Sequence, residues 1–340
     1  MLQLTFVEAG KAEWRDVAEP DLQEPGDALV RPVAIATCDL DGAVAAGAAP
    51  GIGPYPLGHE FVAEVVETGD AVDGGLKAGT LVQVPFQVSG GECEPCRAGR
   101  TGNCANLPAR STYGLGPFGN DFGGALTDLV RVPFAQHMLV PLPDGIEPQA
   151  VASVSDNVPD AWRTVAGPLE QRPGAEVLVV GGVTRSIALY AIDIALALGA
   201  SAVHYVDDDE DRLRVAESLG AQVHEGEIPK RMGPFPVTVS GSGTHEGLHL
   251  AIRSTEGDGV CTSVGIFFEL ETPVPLLEMY TTNVTFITGR CHARPAIPKI
   301  LDLVGQGRLH PEKVTSDVVP WDAAPEAFSR WRTKQVVVRD

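Results

Sequence analysis

The hydrophobic pattern of the chain changes character near its middle. Up to about residue 160, apolar positions come in short runs broken by Gly and Pro, as in "DALVRPVAIAT", "FVAEVVET" and "TLVQVPF". Short β-type runs bounded by turn formers read as strands, so this part is expected to be β-rich. Further on, "AEVLVVGG" is an unbroken apolar strand run. "RSIALYAIDIALALG" follows it with Ile187, Ala191, Ile194 and Leu198 at helical spacing. "AVHYVDDD", "DRLRVAESLGA", "PVTVSGS", "HEGLHLAIRST" and "GVCTSVGIFF" continue the alternation. Strands and helices in turn predict βαβ units and a doubly wound parallel sheet, an α/β fold with both sheet faces covered. Past Gly289, "PAIPKILDLVGQG" reads as a helix and "KQVVVRD" as a closing strand.

A chain of 340 residues has room for two cores. Its net charge of −20 argues against a general affinity for nucleic acid or anionic membrane, since both reward basic patches. The most apolar stretch is interrupted by Thr184, Arg185, Ser186 and Asp193, so no membrane span is expected. The opening residues lack the pattern of a secretory signal, which makes a cytoplasmic location the expectation. Six cysteines form no disulfide framework, and Cys93, Cys96 and Cys104 lie close together. In a reducing compartment that clustering favours metal over disulfide, and it looks like a zinc site with one ligand missing.

"VLVVGGVTRS" puts a Gly-rich turn between a buried strand and a helix, where a pyrophosphate would meet unpaired helix N–H groups. Against the template G-x-G-x-x-G, Gly181 matches, Gly182 is extra, and Val183 and Ser186 stand at the other two positions. The alternative is an α/β turn that binds nothing. Asp207 ends the next strand run, 26 positions after Gly181, near where an acidic residue bonds the ribose hydroxyls. A carboxylate there repels a 2′-phosphate, so NAD is expected over NADP.

Cys38 in "ATCDLDG", His59 with Glu60 in "PLGHEF", and Asp156 in "SVSDNVP" are zinc ligands by type. Open catalytic zinc sites use three protein ligands and keep one position free. Singly, each has another reading: a small buried hydrophobe, a satisfied core histidine, a helix N-cap.

Taken together, these features resemble the zinc-containing medium-chain alcohol dehydrogenase/reductase family over essentially the whole chain. The family signature G-H-E-x-x-G-x5-G-x2-V is matched by Gly58, His59, Glu60, Gly69 and Val72, with Ala63 in place of a glycine. The resemblance implies that Cys38, His59 and Asp156 hold a catalytic zinc, with Glu60 as a nearby carboxylate. It implies a β-rich catalytic domain, folded like a partly open barrel, over residues 1–157 and 291–340. A dinucleotide-binding domain would take 158–290, with Gly181, Gly182, Val183 and Asp207 at the cofactor. It places Lys334 near the cofactor phosphates and "TGRCHARP", with Cys291 and His292, at the return to the catalytic domain.

Two departures from the family stand out. Its structural zinc lobe carries C-x2-C-x2-C-x7-C. Cys93, Cys96 and Cys104 are the last three cysteines of that pattern, and the first falls on Gly90. Glu92 could complete a three-cysteine site, or the lobe could fold without metal. The family's proton-relaying Ser or Thr is Leu40 here, and a relay histidine is matched by Ala43.

The expectation is a zinc- and NAD-dependent oxidoreductase. It would interconvert an alcohol and an aldehyde or ketone, assemble as a homodimer or homotetramer, and bind neither nucleic acid nor membrane. A decayed family member acting as a scaffold and a zinc-free quinone-type reductase are the competing readings.

Overall fold

The computed structural model describes residues 1–48, 52–226, 228–330 and 332–339. The chain forms two compact units. One comprises Met1–Pro159, Cys291–Gly307 and Thr315–Asp340; the other comprises Asp160–Arg290 and Arg308–Val314.

The first unit is built on a forked seven-stranded sheet. Its strands run in the order Val140–Pro141, Leu81–Val84, Glu60–Thr68, Ala28–Ala36, Gln335–Val338 and Asp317–Pro320, and Val130–Val132 also pairs with Ala28–Ala36. A three-stranded sheet of Lys11–Asp16, Leu2–Glu8 and Tyr55–Pro56 accompanies it. The alternating apolar positions of these strands meet in one core, with Leu4, Ile35, Phe61, Val82, Tyr113 and Leu126 all buried. Register decides where the chemistry falls. Ala36 pairs with Glu60 across one side of its strand and with Val336 across the other, so the chain just past Ala36 lies beside both neighbours' ends.

The second unit carries a six-stranded sheet in the order Gln222–Glu225, Val203–Asp207, Val177–Val180, Phe235–Ser240, Thr255–Ser263 and Thr285–Ile287. Every pair in it is parallel. Starting at the centre, running to one edge and restarting on the other side makes it doubly wound, with its switch point beside Val177–Val180. The helices Arg185–Ala197, Glu210–Leu219 and His245–Ser254 follow strands as expected from the sequence. Leu178, Val180, Phe235, Leu250 and Ile252 form a core on one side of the sheet.

Cys291 and His292 do not lie in a strand. They precede the helix Ala293–Gly305, with His292 at its N-cap. Among the described residues no helix is long and apolar enough to cross a membrane.

Candidate active site

Three local structures deliver the four candidate ligands to one place in the first unit. Cys38 follows the strand Ala28–Ala36 and opens the helix Asp39–Ala45, where its N–H donates to Asp41 Oδ2 at 3.0 Å. His59 and Glu60 stand at the start of the strand Glu60–Thr68, just after Gly58. Gly58 has φ +92°, and a Cβ there would lie 2.9 Å from the Leu126 nitrogen, so the approach requires glycine. Asp156 ends a short turn that is tied to the same strand. Phe61 N–H donates to Ser155 Oγ at 2.9 Å, and Gln83 Nε2 donates to the same oxygen at 2.7 Å.

A sulfur, a nitrogen and carboxylate oxygens from Cys38, His59, Glu60 and Asp156 lie within 4.8 Å of one another. Asp156 Oδ2 is 3.5 Å from Cys38 Sγ and 3.5 Å from His59 Nε2. Ligands 2.0–2.3 Å from a tetrahedral zinc are separated by about 3.3–3.8 Å, so the spacing suits an ion between them. His59 is completely buried, and neither of its ring nitrogens has a hydrogen-bond partner. A buried imidazole left in that state costs free energy unless something binds it. Asp41 Oδ2 lies 3.9 Å from Nδ1, on the ring's other side, where metal-binding histidines commonly face a carboxylate.

The electrostatics point the same way. Burial, then Asp156 and Glu60, push the Cys38 thiol well above its ordinary value. Burial alone would lower His59, but Asp41 and Asp156 outweigh it and hold the imidazole at about 9. Burial raises Glu60, and the Lys334 ammonium pulls it back. Such an excess of anionic ligands favours a dication, which would take the thiol proton off directly. Sulfur, imidazole and carboxylate donors suit zinc.

Four neighbours of the site escaped the sequence reading. Asn157 Nδ2 donates to Cys38 Sγ at 3.3 Å and to Asp156 Oδ2 at 3.2 Å. Its Oδ1 accepts from Lys334 Nζ at 2.7 Å. Lys334 is fully buried and pairs with Glu60 at 3.0 Å. In the first unit this ammonium is thus engaged by Glu60 and Asn157. The third neighbour is Asp41. The fourth is Cys291, whose Sγ is 3.7 Å from Asp156 Oδ1, while its neighbour His292 accepts at Nδ1 from Gly102 N–H at 3.1 Å. Asn157 was legible as the residue after a candidate ligand. Lys334 and Cys291 are remote in sequence and carried no such signal.

Leu40 packs against the first unit's core with Ala43. Two hydroxyls beside the ligands are engaged elsewhere: Ser155 Oγ is bonded to Phe61 and Gln83, and Thr37 Oγ1 accepts from Gln335 N–H at 3.0 Å.

In the second unit, Gly181 and Gly182 leave the central strand. A Cβ on Gly182, at φ +139°, would lie 2.6 Å from Ser242 O. A Cβ on Gly181 would lie 2.2 Å from Asp207 Oδ2 and 2.3 Å from the Tyr205 hydroxyl. Asp207 thus reaches the glycine turn, as its place at a strand end requires. Its carboxylate is already engaged. Arg212 grips it through Nε at 2.7 Å and Nη2 at 2.6 Å, Tyr205 donates its hydroxyl, and Asp208 N–H adds a bond at 2.8 Å. Burial alone would raise Asp207, but Arg212 and Tyr205 hold it below the usual carboxylate range. Val183 is exposed at the turn.

A doubly wound sheet in a chain that also buries a sulfur–imidazole–carboxylate cluster defines the class: a zinc- and nicotinamide-dependent oxidoreductase. Similarity to known proteins fits that class. The alcohol dehydrogenase GroES-like domain family matches residues 24–144. The chain is 35% identical to an L-threonine 3-dehydrogenase of Streptomyces avermitilis over 294 residues, covering 81% of this chain and 80% of that one. It is 31% identical to a glutathione-independent formaldehyde dehydrogenase of Bacillus subtilis over 317 residues, covering 80% and 76%. The solved structure of alcohol dehydrogenase TADH from Thermus sp. ATN1 superposes with a TM-score of 0.86 at 29% identity, covering both chains completely. The chain belongs to the zinc-containing medium-chain alcohol dehydrogenase/reductase family.

Lys334→Met strands the Glu60 carboxylate in the core and is expected to cost about 3–5 kcal/mol of stability. The double variant Lys334→Met/Glu60→Gln should recover a large part of that loss. Urea denaturation of the four proteins of this cycle measures both.

Proposed function

We propose that Cys38, His59 and Asp156 hold the catalytic zinc of an NAD-linked alcohol dehydrogenase acting on a small alcohol or its carbonyl partner. The observation that carries this reading is the buried cluster itself: Asp156 Oδ2 lies 3.5 Å from both His59 Nε2 and Cys38 Sγ, the spacing of ligands around a tetrahedral ion, and neither His59 nitrogen makes a hydrogen bond. Zinc bound there supplies Lewis acidity to the substrate oxygen. Every other role belongs to the chain itself. Asn157 orients Cys38 and Asp156 from one amide group. Lys334 keeps Glu60 from adding an unbalanced anion beside the ligands. Leu40 has no proton to give or take, so the substrate proton leaves by a route other than the family's usual hydroxyl. The full ligand set argues against a zinc-free quinone-type reductase, and the intact support around it argues against a scaffold.

At the nucleotide turn, Gly181 and Gly182 allow close backbone approach, and the helix Arg185–Ala197 points its N-terminus there. Asp207, Asp208 and Asp209 outnumber Arg212, which supports NAD over a cofactor carrying a 2′-phosphate. A cytoplasmic location is supported by six cysteines, none of them in a disulfide.

The reading includes self-association. The helix Leu276–Thr282 buries none of its residues, Leu277 and Tyr280 stand exposed on it, and Leu270 is exposed shortly before it in the chain. Among the described residues the following strand, Thr285–Ile287, is an edge strand of the sheet. An apolar patch next to an open strand edge suits a second copy of the same surface.

Three outcomes test these assignments. Zinc per chain, by elemental analysis on protein purified without added metal, should fall by one equivalent in Cys38→Ala; an unchanged content would remove the metal from this site. Asp207→Asn should shift the NADPH-to-NADH preference by about tenfold or more towards NADPH, read by fluorescence titration, since one charge near the 2′-phosphate is removed. Leu277→Asp with Tyr280→Asp should lower the mass found by light scattering to that of one chain.

A further inference from the structure

The three-cysteine lobe lies outside the catalytic cluster, and its geometry answers the question raised by the missing cysteine. The Sγ atoms of Cys93, Cys96 and Cys104 lie within 4.8 Å of one another, with Cys93 and Cys104 at 3.9 Å. Backbone amides face them: Gly90 N–H points at Cys104 Sγ at 3.5 Å, and Ala105 N–H at Cys93 Sγ at 3.3 Å. Amides aimed at sulfur favour thiolates over thiols, as a cation site requires.

No fourth side chain among the described residues joins this cluster. Glu92 is exposed and outside it. His137 is close by, but it lies over Gly91 with its Nε2 3.0 Å from Ser89 Oγ. At Gly90, where the family has its first cysteine, the nearest atoms a Cβ would meet belong to the Phe134 ring, at 3.6–3.7 Å, an ordinary contact distance. Protein bonds hold the lobe from within and from beside it: Arg97 N–H donates to the Cys93 carbonyl at 3.0 Å and Cys104 N–H to the Thr101 carbonyl at 3.2 Å. Gly102 N–H bonds His292, the Arg294 guanidinium bonds the His137 carbonyl, and Gln87 Nε2 bonds the Cys291 carbonyl at 2.9 Å.

A closed structural zinc centre has four protein ligands, and with three the fourth position stays open to a small ligand. We propose that Cys93, Cys96 and Cys104 form an open three-thiolate site that takes a thiophilic divalent ion reversibly, its fourth position left to a small exchangeable ligand. Soft sulfur donors select zinc or cadmium over magnesium and calcium. Because protein contacts already hold the sulfurs together, an ion can leave without unfolding the lobe. The proposal stands apart from the assignment of the catalytic zinc.

Cadmium alone is the probe, added to the holoprotein and followed by the ultraviolet sulfur-to-cadmium band. The wild type should take one ion per chain at the lobe and give it up rapidly to excess EDTA, with no change in thermal midpoint. Cys96→Ser should lose the band. Gly90→Cys places a fourth sulfur where the backbone and the space accept a side chain. Its band should be about a third stronger, and its release of cadmium at least about tenfold slower. No band in the wild type would overturn the proposal. So would a wild-type band as intense and as slowly released as that of Gly90→Cys, which would reveal a closed centre. If Cys96→Ser fails to fold, the comparison of wild type with Gly90→Cys decides alone.

Discussion

A carboxylate and an ammonium group taken out of water each cost several kcal/mol unless they meet, and Glu60 and Lys334 meet at 3.0 Å with both side chains fully buried. The architecture of the first unit follows from that pairing. Glu60 opens one strand and Lys334 precedes another, and the strand Ala28–Ala36 between them carries Cys38 just past its end. Lys334 also donates to the Thr37 carbonyl and to Asn157, which in turn donates to Cys38 and Asp156. One ammonium group therefore connects segments from both ends of the chain to the candidate metal ligands. The pair adds little net stability over an apolar alternative of equal size. What it supplies is position, since the acidic neighbour of the site is held and neutralised by a group that cannot itself bind a metal.

That pairing also marks the boundary of what the sequence could tell. Strand and helix runs were legible because their periodicity is local: Val177–Val180, Arg185–Ala197 and Val203–Asp207 fall where the apolar pattern put them. The ligands Cys38, His59, Glu60 and Asp156 were legible as residue types in a familiar order. Lys334 was not, because its partner is 274 positions away and only the antiparallel register of three strands brings them together. Without that register, a lysine near a chain end reads as solvated. Cys291 was hidden differently. It was read only as part of the return to the catalytic domain, yet the turn before a helix sends its side chain to Asp156 and that of His292 to Gly102.

The glycine turn shows how one residue type can answer two demands. The sequence reading gave Gly181 to the pyrophosphate, which needs a bare backbone to approach. In the fold, the carboxylate of Asp207 and the hydroxyl of Tyr205 already fill the space above its Cα. Gly181 would be required by these side chains alone. The one glycine that matches the motif is thus accounted for by the packing of the sheet itself. The acceptor positions of the Asp207 carboxylate are occupied by Arg212, Tyr205 and backbone amides, so any further donor would have to compete with them.

Leu40 and Gly90 depart from the family at two functions, proton relay and structural zinc, and each departure is accommodated where it occurs. Leu40 packs into the first unit's core, and the Phe134 ring flanks Gly90. The ligand cluster, by contrast, keeps its supporting bonds from Asn157, Asp41 and Ser155 without substitution by apolar groups. A site drifting free of its chemistry would lose these first, because unpaired buried polar groups are the costliest part to retain once nothing binds there. His59 is still buried with both nitrogens unpartnered. With Asp156 3.5 Å from one ring nitrogen and Asp41 3.9 Å from the other, the carboxylates hold the imidazole at about 9, and a metal ion at Nε2 would take the place of that proton.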